Sequence, residues 1–97
     1  MNIDKKLEDG KLTLALSGRL DTNTAPELES ALNLDGVTEV TFDFTELEYI
    51  SSAGLRILMM AQKSMMACGG TMTVANPNKT VKDVFDITGM SSVFTVR

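Results

Sequence analysis

Apolar and polar residues alternate along the first sixteen positions, with one interruption. Ile3, Lys5 and Leu7 alternate with Asp4 and Lys6, and after Asp9-Gly10 the residues Leu12, Leu14 and Leu16 alternate with Lys11, Thr13 and Ala15. Period two on both sides of an Asp-Gly pair, which accepts the positive φ angles of a type I′ turn, predicts a β-hairpin. Gly18-Arg19-Leu20-Asp21 ends the second arm. Thr24 and Glu27 have capping-box spacing, so a helix is expected from Ala25, with Thr24 as N-cap and Pro26 tolerated in the first turn. Leu28, Ala31 and Leu32 form its apolar side, and residues 33–36 close it. Val40, Phe42 and Phe44 then face away from Thr41, Asp43 and Thr45, which predicts a half-buried strand over residues 37–44.

The period changes after residues 49–55, Tyr-Ile-Ser-Ser-Ala-Gly-Leu. From Gly54 to Cys68 it is helical: Ile57, Leu58, Ala61, Met65 and Cys68 share one stripe, Leu55, Met59 and Met66 lie beside it, and Arg56 and Lys63 mark the solvent side. That second strip is either ordinary core under a neighbouring helix or a surface for a partner, to which methionine adapts well. Gly69 suits the left-handed position past the helix end. Residues 71–74 read as a strand and Asn76-Pro77-Asn78 as a loop. Thr80 to Asp83 is a capping signal for a helix bearing Val81, Val84 and Phe85, which Gly89 ends before a last strand over residues 93–96. The order is ββαβαβαβ. Strand-helix-strand units of this length cross over right-handedly and make successive strands parallel, so the expected fold is α/β: a mixed sheet of about five strands with an N-terminal hairpin and three or more helices. Asp21 and Ser51-Ser52 then fall at the C-terminal edge of the parallel strands, where ligands and partners of open α/β sheets commonly bind.

Composition narrows the function. Ninety-seven residues, 43% hydrophobic and 23% charged, suit one folded domain over residues 1–97. The net charge of -4 disfavours nucleic acid or an anionic membrane as the main partner. No apolar run approaches the roughly twenty residues of a membrane span, and no export signal precedes the hairpin. Cys68 is the only cysteine, which rules out an internal disulfide, fits the cytoplasm and reads as a small buried hydrophobe. The chain has no histidine, which removes Ser-His-Asp and Cys-His catalysis and His-ligated zinc. No cofactor or metal is expected, and no Gly-x-x-x-x-Gly-Lys-Ser/Thr loop supports nucleotide binding.

The serine turn carries the candidate chemistry. In one reading Ser51 or Ser52 caps the long helix, its hydroxyl accepting from backbone N–H groups two or three residues on. In the other, one hydroxyl is a phosphorylation switch. A phosphate brings about -1.5 to -2 charges to a helix N-terminus that favours anions, so the fold tolerates it while a partner over the same turn is ejected. A serine nucleophile for hydrolysis lacks the base it needs.

The stretch Phe44-Thr45-Glu46-Leu47-Glu48-Tyr49-Ile50-Ser51-Ser52-Ala53-Gly54-Leu55, preceded by Leu16-Ser17-Gly18-Arg19-Leu20-Asp21, resembles the STAS domain of sulphate transporters and anti-sigma factor antagonists. The likeness covers nearly the whole chain. It implies a stand-alone, non-enzymatic bacterial anti-sigma factor antagonist. Such a protein binds an anti-sigma factor with serine kinase activity when unphosphorylated, is released on serine phosphorylation, and is restored by a serine phosphatase. The family motif Asp-Ser-Ser/Thr-Gly-Leu places the acceptor at Ser52, with Ser51 as second candidate, and Asp21 matches the aspartate beside it. The expected partner surface is Asp21, Thr22, Ser51, Ser52, Ala53, Gly54, Leu55 and Met59, on a monomer or weak dimer. Ser51 departs from the family, which has aspartate there. The alternative is a STAS module that binds a nucleotide, anion or lipid-complex component, or supports a transporter, without a phosphorylation switch.

Overall fold

The computed structural model describes all residues, Met1–Arg97. Five strands, β1 (Asn2–Glu8), β2 (Lys11–Leu20), β3 (Glu39–Ile50), β4 (Thr71–Ala75) and β5 (Thr95–Val96), form one sheet in sequence order. β1 pairs antiparallel with β2, and every later pairing is parallel. Three helices connect the parallel strands: α1 (Ala25–Ala31), α2 (Ser52–Cys68) and α3 (Lys79–Thr88), the last followed by a short 3-10 turn at Met90–Ser92. This is the mixed α/β architecture and element order that the residue pattern implies. Asp9 and Gly10 have φ of 51° and 78°, the two positive values a type I′ hairpin requires.

Alternation along the strands decides where the helices sit. Leu12, Leu14, Leu16, Val40, Phe42, Phe44, Met72 and Val74 are buried together with Leu28, Ile57, Leu58, Ala61, Met65, Val81 and Phe85 of the helices in one cluster. The opposite sheet face carries Thr13, Ala15, Thr41, Asp43, Thr73 and Ala75, all half-buried. α2 packs on β3 and β4, α1 against α2, and α3 against β3.

The strand expected over residues 37–44 continues to Ile50. Its pairing with β2 slips twice: Ala15 and Ser17 face Asp43 and Glu46, and Gly18 and Arg19 face Leu47 and Tyr49. Each slip inserts an extra residue into β3, so burial passes from Phe44 to Leu47 to Ile50 and period two disappears. These bulges carry the strand to the serine turn. The last strand is shorter than expected, because Val93 and Phe94 still belong to the turn: both N–H groups donate to the Met90 carbonyl.

The caps differ from expectation. Thr24 holds the position before α1, but its side chain makes no capping hydrogen bond. Its hydroxyl donates instead to the Arg19 carbonyl at 2.8 Å and accepts from the Asp21 N–H at 2.9 Å, because Asp21 already accepts from the N–H groups of Asn23 and Thr24. At α3 the cap is Asn78, not Thr80: the Asn78 side chain accepts from the Val81 N–H at 2.8 Å and donates to the Leu47 and Glu48 carbonyls. Cys68, expected in the core, is exposed. It occupies the last position of α2, where the chain turns through Gly69-Gly70 into β4, and burial of the stripe ends at Met65.

Candidate functional site

The serine turn is positioned by the ends of two neighbouring parallel strands. Leu20 and Ile50 are register partners, and the Ser51 N–H donates to the Leu20 carbonyl at 2.9 Å. That bond continues the ladder one residue beyond the strands and fixes the 21–24 loop beside the 51–54 turn. Asp21 and the two serines therefore share the C-terminal sheet edge.

Ser51 stands at the N-cap position of α2 with extended backbone (φ -102°, ψ 176°), and its carbonyl accepts the Leu55 N–H at 2.9 Å. Its hydroxyl does not cap. Ser51 Oγ is buried and has no hydrogen-bond partner. Ser52 is exposed and is the first residue of the helix, in the turn whose N–H groups have no intrahelical acceptor. The capping reading thus holds for the backbone of Ser51 and fails for both hydroxyls. Of the two serines, Ser52 is the one open to solvent chemistry.

Gly54 explains how the turn approaches the sheet so closely. It is buried, and a Cβ there would sit 2.6 Å from Leu20 Cγ and 2.9 Å from Ile50 Cγ1, both on fully buried side chains. Only a residue without a side chain brings the start of α2 onto the strand ends. Leu55 follows and is buried, at 6% exposure.

Two shallow grooves flank the helix start. One, of about 350 Å³, is lined by Ser52, Leu55, Arg56, Met59, Thr88 and Met90. The other, of about 250 Å³, runs between α1 and α2 and takes in Thr22, Ala53, Arg56 and Met60. Leu55, expected either under a neighbouring helix or facing a partner, is mostly covered, whereas Met59, Met60 and Met66 remain exposed. Of the residues expected at the partner surface, Asp21 and Ala53 are half-buried, Thr22 and Met59 exposed, and Gly54 lies beneath the surface it shapes. Arg56, which the helical pattern assigned only to solvent, lines both grooves and makes no ion pair. The available clue was its spacing, one turn on from Ser52 on the same side of the helix.

Asp21 is held ionised by its turn. Partial desolvation raises its pKa, but hydrogen bonds from the Thr24 and Asn23 N–H groups, the Thr24 hydroxyl and the Arg19 charge outweigh this, and its carboxyl titrates below the ordinary range. Arg19 lies 3.8 Å from Asp21 and stacks 4.5 Å above the centroid of the Tyr49 ring, linking the 21–24 loop to β3. No group of acidic, histidine or cysteine side chains has the arrangement to hold a metal ion, and no helix is long and apolar enough to cross a membrane.

The chain thus carries a serine at a helix start on the C-terminal edge of a five-stranded mixed sheet whose helices cover one face. The chain belongs to the STAS domain family, whose profile matches residues 2–97. It is 34% identical over 91 residues to BtrV of Bordetella bronchiseptica, named as an anti-sigma factor antagonist, covering 91% of this chain and 78% of that protein. It is 27% identical over 103 residues to the anti-sigma-B factor antagonist of Listeria monocytogenes, covering 100% and 90%. The fold is that of the anti-sigma factor antagonist SpoIIAA of Bacillus. Its unphosphorylated form superposes with a TM-score of 0.86 at 19% identity, covering 99% of this chain and 88% of that one; its phosphorylated form does so at 0.76 and 19%, covering 99% and 91%.

Proposed function

We propose that this chain is an anti-sigma factor antagonist that binds an anti-sigma factor while unphosphorylated and so regulates sigma-factor-dependent transcription. The anti-sigma factor is itself a serine kinase; it transfers the γ-phosphoryl group of ATP to Ser52 Oγ, the kinase supplies the base that takes the hydroxyl proton, and a serine phosphatase reverses the modification. The observation that carries this reading is the position of Ser52: exposed, first in a seventeen-residue helix, and on the wall of an apolar groove. A phosphate there meets the positive end of the helix and the unpaired Arg56 one turn on, so the fold accepts the charge. A partner seated on Leu55, Met59 and the 21–24 loop has to accommodate the same charge on its own surface, and binding is lost. Ser51, with its hydroxyl buried, is the poorer acceptor.

The test is phosphate mapping by mass spectrometry after incubation with the cognate kinase and ATP, where Ser52 is the expected site. Modification elsewhere, or none, removes the switch. Ser52→Asp is expected to keep the circular dichroism spectrum and lose the anti-sigma factor, and Ser52→Ala to bind it whether or not ATP is present.

A further inference from the structure

The sheet ends at β1, which is hydrogen-bonded to β2 alone. Its outer edge is seven residues of extended backbone, Asn2–Glu8, and the N–H and C=O groups of every second residue, which point away from β2, are a template for another strand. The sequence of that edge is self-complementary. Laid antiparallel against a second β1 with Lys5 opposite Lys5, it puts Ile3 opposite Leu7, Asp4 opposite Lys6 and Asn2 opposite Glu8.

Directly opposed residues share a face of the sheet. Ile3 and Leu7 pair with the buried Leu16 and Leu12 of β2, so they lie on the helix-covered face. Ile3 packs against the core, but Leu7 is 61% exposed despite facing the apolar side. In the Lys5-centred register Leu7 gains Ile3 of the second copy, and the row Leu16–Ile3 runs on into Leu7 and Leu12 across the seam. On the open face Asp4 meets Lys6 twice. Lys6 is within 4.0 Å of Glu8, an exposed pair of little strength, so it can turn to the opposing acid. Sliding by two residues opposes Ile3 with Lys5 and Asp4 with itself, or Leu7 with Lys5 and Asp4 with Glu8. Sliding by one puts the apolar residues of the two copies on opposite faces.

We propose that two copies of this chain pair through β1 about a two-fold axis at Lys5, joining their sheets into one. The surface includes no residue of the serine site, so the proposal is independent of the sigma-factor reading. A two-strand seam is small, and Lys5 opposes its own copy, so the association is weak, with a dissociation constant on the order of 0.1 mM.

Sedimentation equilibrium of the full chain between about 10 μM and 1 mM spans that constant and is expected to show a reversible monomer–dimer transition. Leu7→Asp should abolish it, and Lys5→Val should tighten it several-fold by removing the like-charge contact. Asp4→Lys and Lys6→Asp should each weaken it, while the double exchange restores it; circular dichroism checks the fold of each variant. In a Cys68→Ser background, Lys5→Cys should form an intermolecular disulfide under mild oxidation much faster than Asp4→Cys, because only residue 5 opposes itself. A chain that stays monomeric throughout, self-association unchanged by the β1 variants, or a double exchange no better than its single changes overturns the proposal.

Discussion

At the residue scale, two positions of the serine turn, Gly54 and Ser51, respond to substitution in opposite ways. Gly54→Ala places a methyl group within 2.6 Å of Leu20 Cγ, and neither Leu20 nor Ile50, each fully buried, has space to yield. Overpacking of this kind costs about 1–3 kcal/mol, more than the gain of alanine over glycine near a helix start. The denaturant midpoint should fall, and because the displaced element is the start of α2, binding at Ser52 should fall with it. Ser51→Ala is expected to do the reverse. Loss of a capping hydroxyl ordinarily costs about 0.5–2 kcal/mol, but Ser51 Oγ caps nothing and is buried without a partner. Removing an unsatisfied buried hydroxyl relieves a desolvation penalty, so equilibrium unfolding should show unchanged or slightly higher stability, by up to about 1 kcal/mol. A clear loss would mean that the hydroxyl bonds to something in solution. The break in periodicity at residues 49–55 made the turn itself legible from the amino-acid pattern. The silence of Ser51 Oγ and the place of Arg56 on both grooves were not, because each depends on neighbours from other elements.

At the scale of elements, the chain chose its caps by tertiary fit rather than by local spacing. Thr24–Glu27 and Thr80–Asp83 both have the spacing of a capping signal, yet Asp21 organises the first turn and Asn78 the second. Asn78 wins at α3 because its amide does two things at once. Its oxygen takes the Val81 N–H, and its nitrogen reaches the Leu47 and Glu48 carbonyls of β3, beside the bulges that carry the strand to the serine turn. Asn78→Ala is therefore expected to lose about 1–2 kcal/mol and to increase amide exchange at residues 47–50 as well as in α3. Asn78→Asp keeps the cap but not the donor, so it should restore α3 protection and leave the β3 end loose. Equal recovery at both places would show that the bridge to β3 carries no weight. The bulges also explain why β3 read as ending at Phe44. Two extra residues shift the buried positions to Leu47 and Ile50, and a strand recognised by period two stops where the period does. Cys68 illustrates the same limit for a helix, since the stripe predicts a face but not where the sheet beneath it ends.

For the molecule as a whole, the order of elements, the antiparallel hairpin and the parallel crossovers followed from turn residues and periodicity, because each local preference agrees with the same fold. The acid response shows how the 21–24 turn and the first bulge of β3 contribute to that fold. Asp21 and Asp43 both titrate below the ordinary aspartate range. For Asp21 desolvation opposes the shift and the bonds from Thr24 and Asn23 with the Arg19 charge prevail; for Asp43 the Thr45 hydroxyl and N–H lead, 2.6 and 3.1 Å from its carboxylate. A lowered native pKa means that the folded state binds fewer protons than the unfolded one. The stabilisation is complete above the unfolded value of about 3.9 and is lost as pH falls through the native values. Full protonation of the 13 acidic side chains leaves the nine Lys and Arg charges unbalanced, so repulsion also grows at low pH. The two effects separate by substitution. Asp21→Asn and Asp43→Asn should each lower stability at pH 7 and give a shallower decline below pH about 4, because the proton uptake that weakens the wild type is already absent. Repulsion remains in both. Urea midpoints measured from pH 7 to pH 2 for the wild type and the two variants check this: parallel curves would leave general repulsion as the cause, whereas curves that converge on acidification locate the loss at the Asp21 turn and the Asp43 bulge.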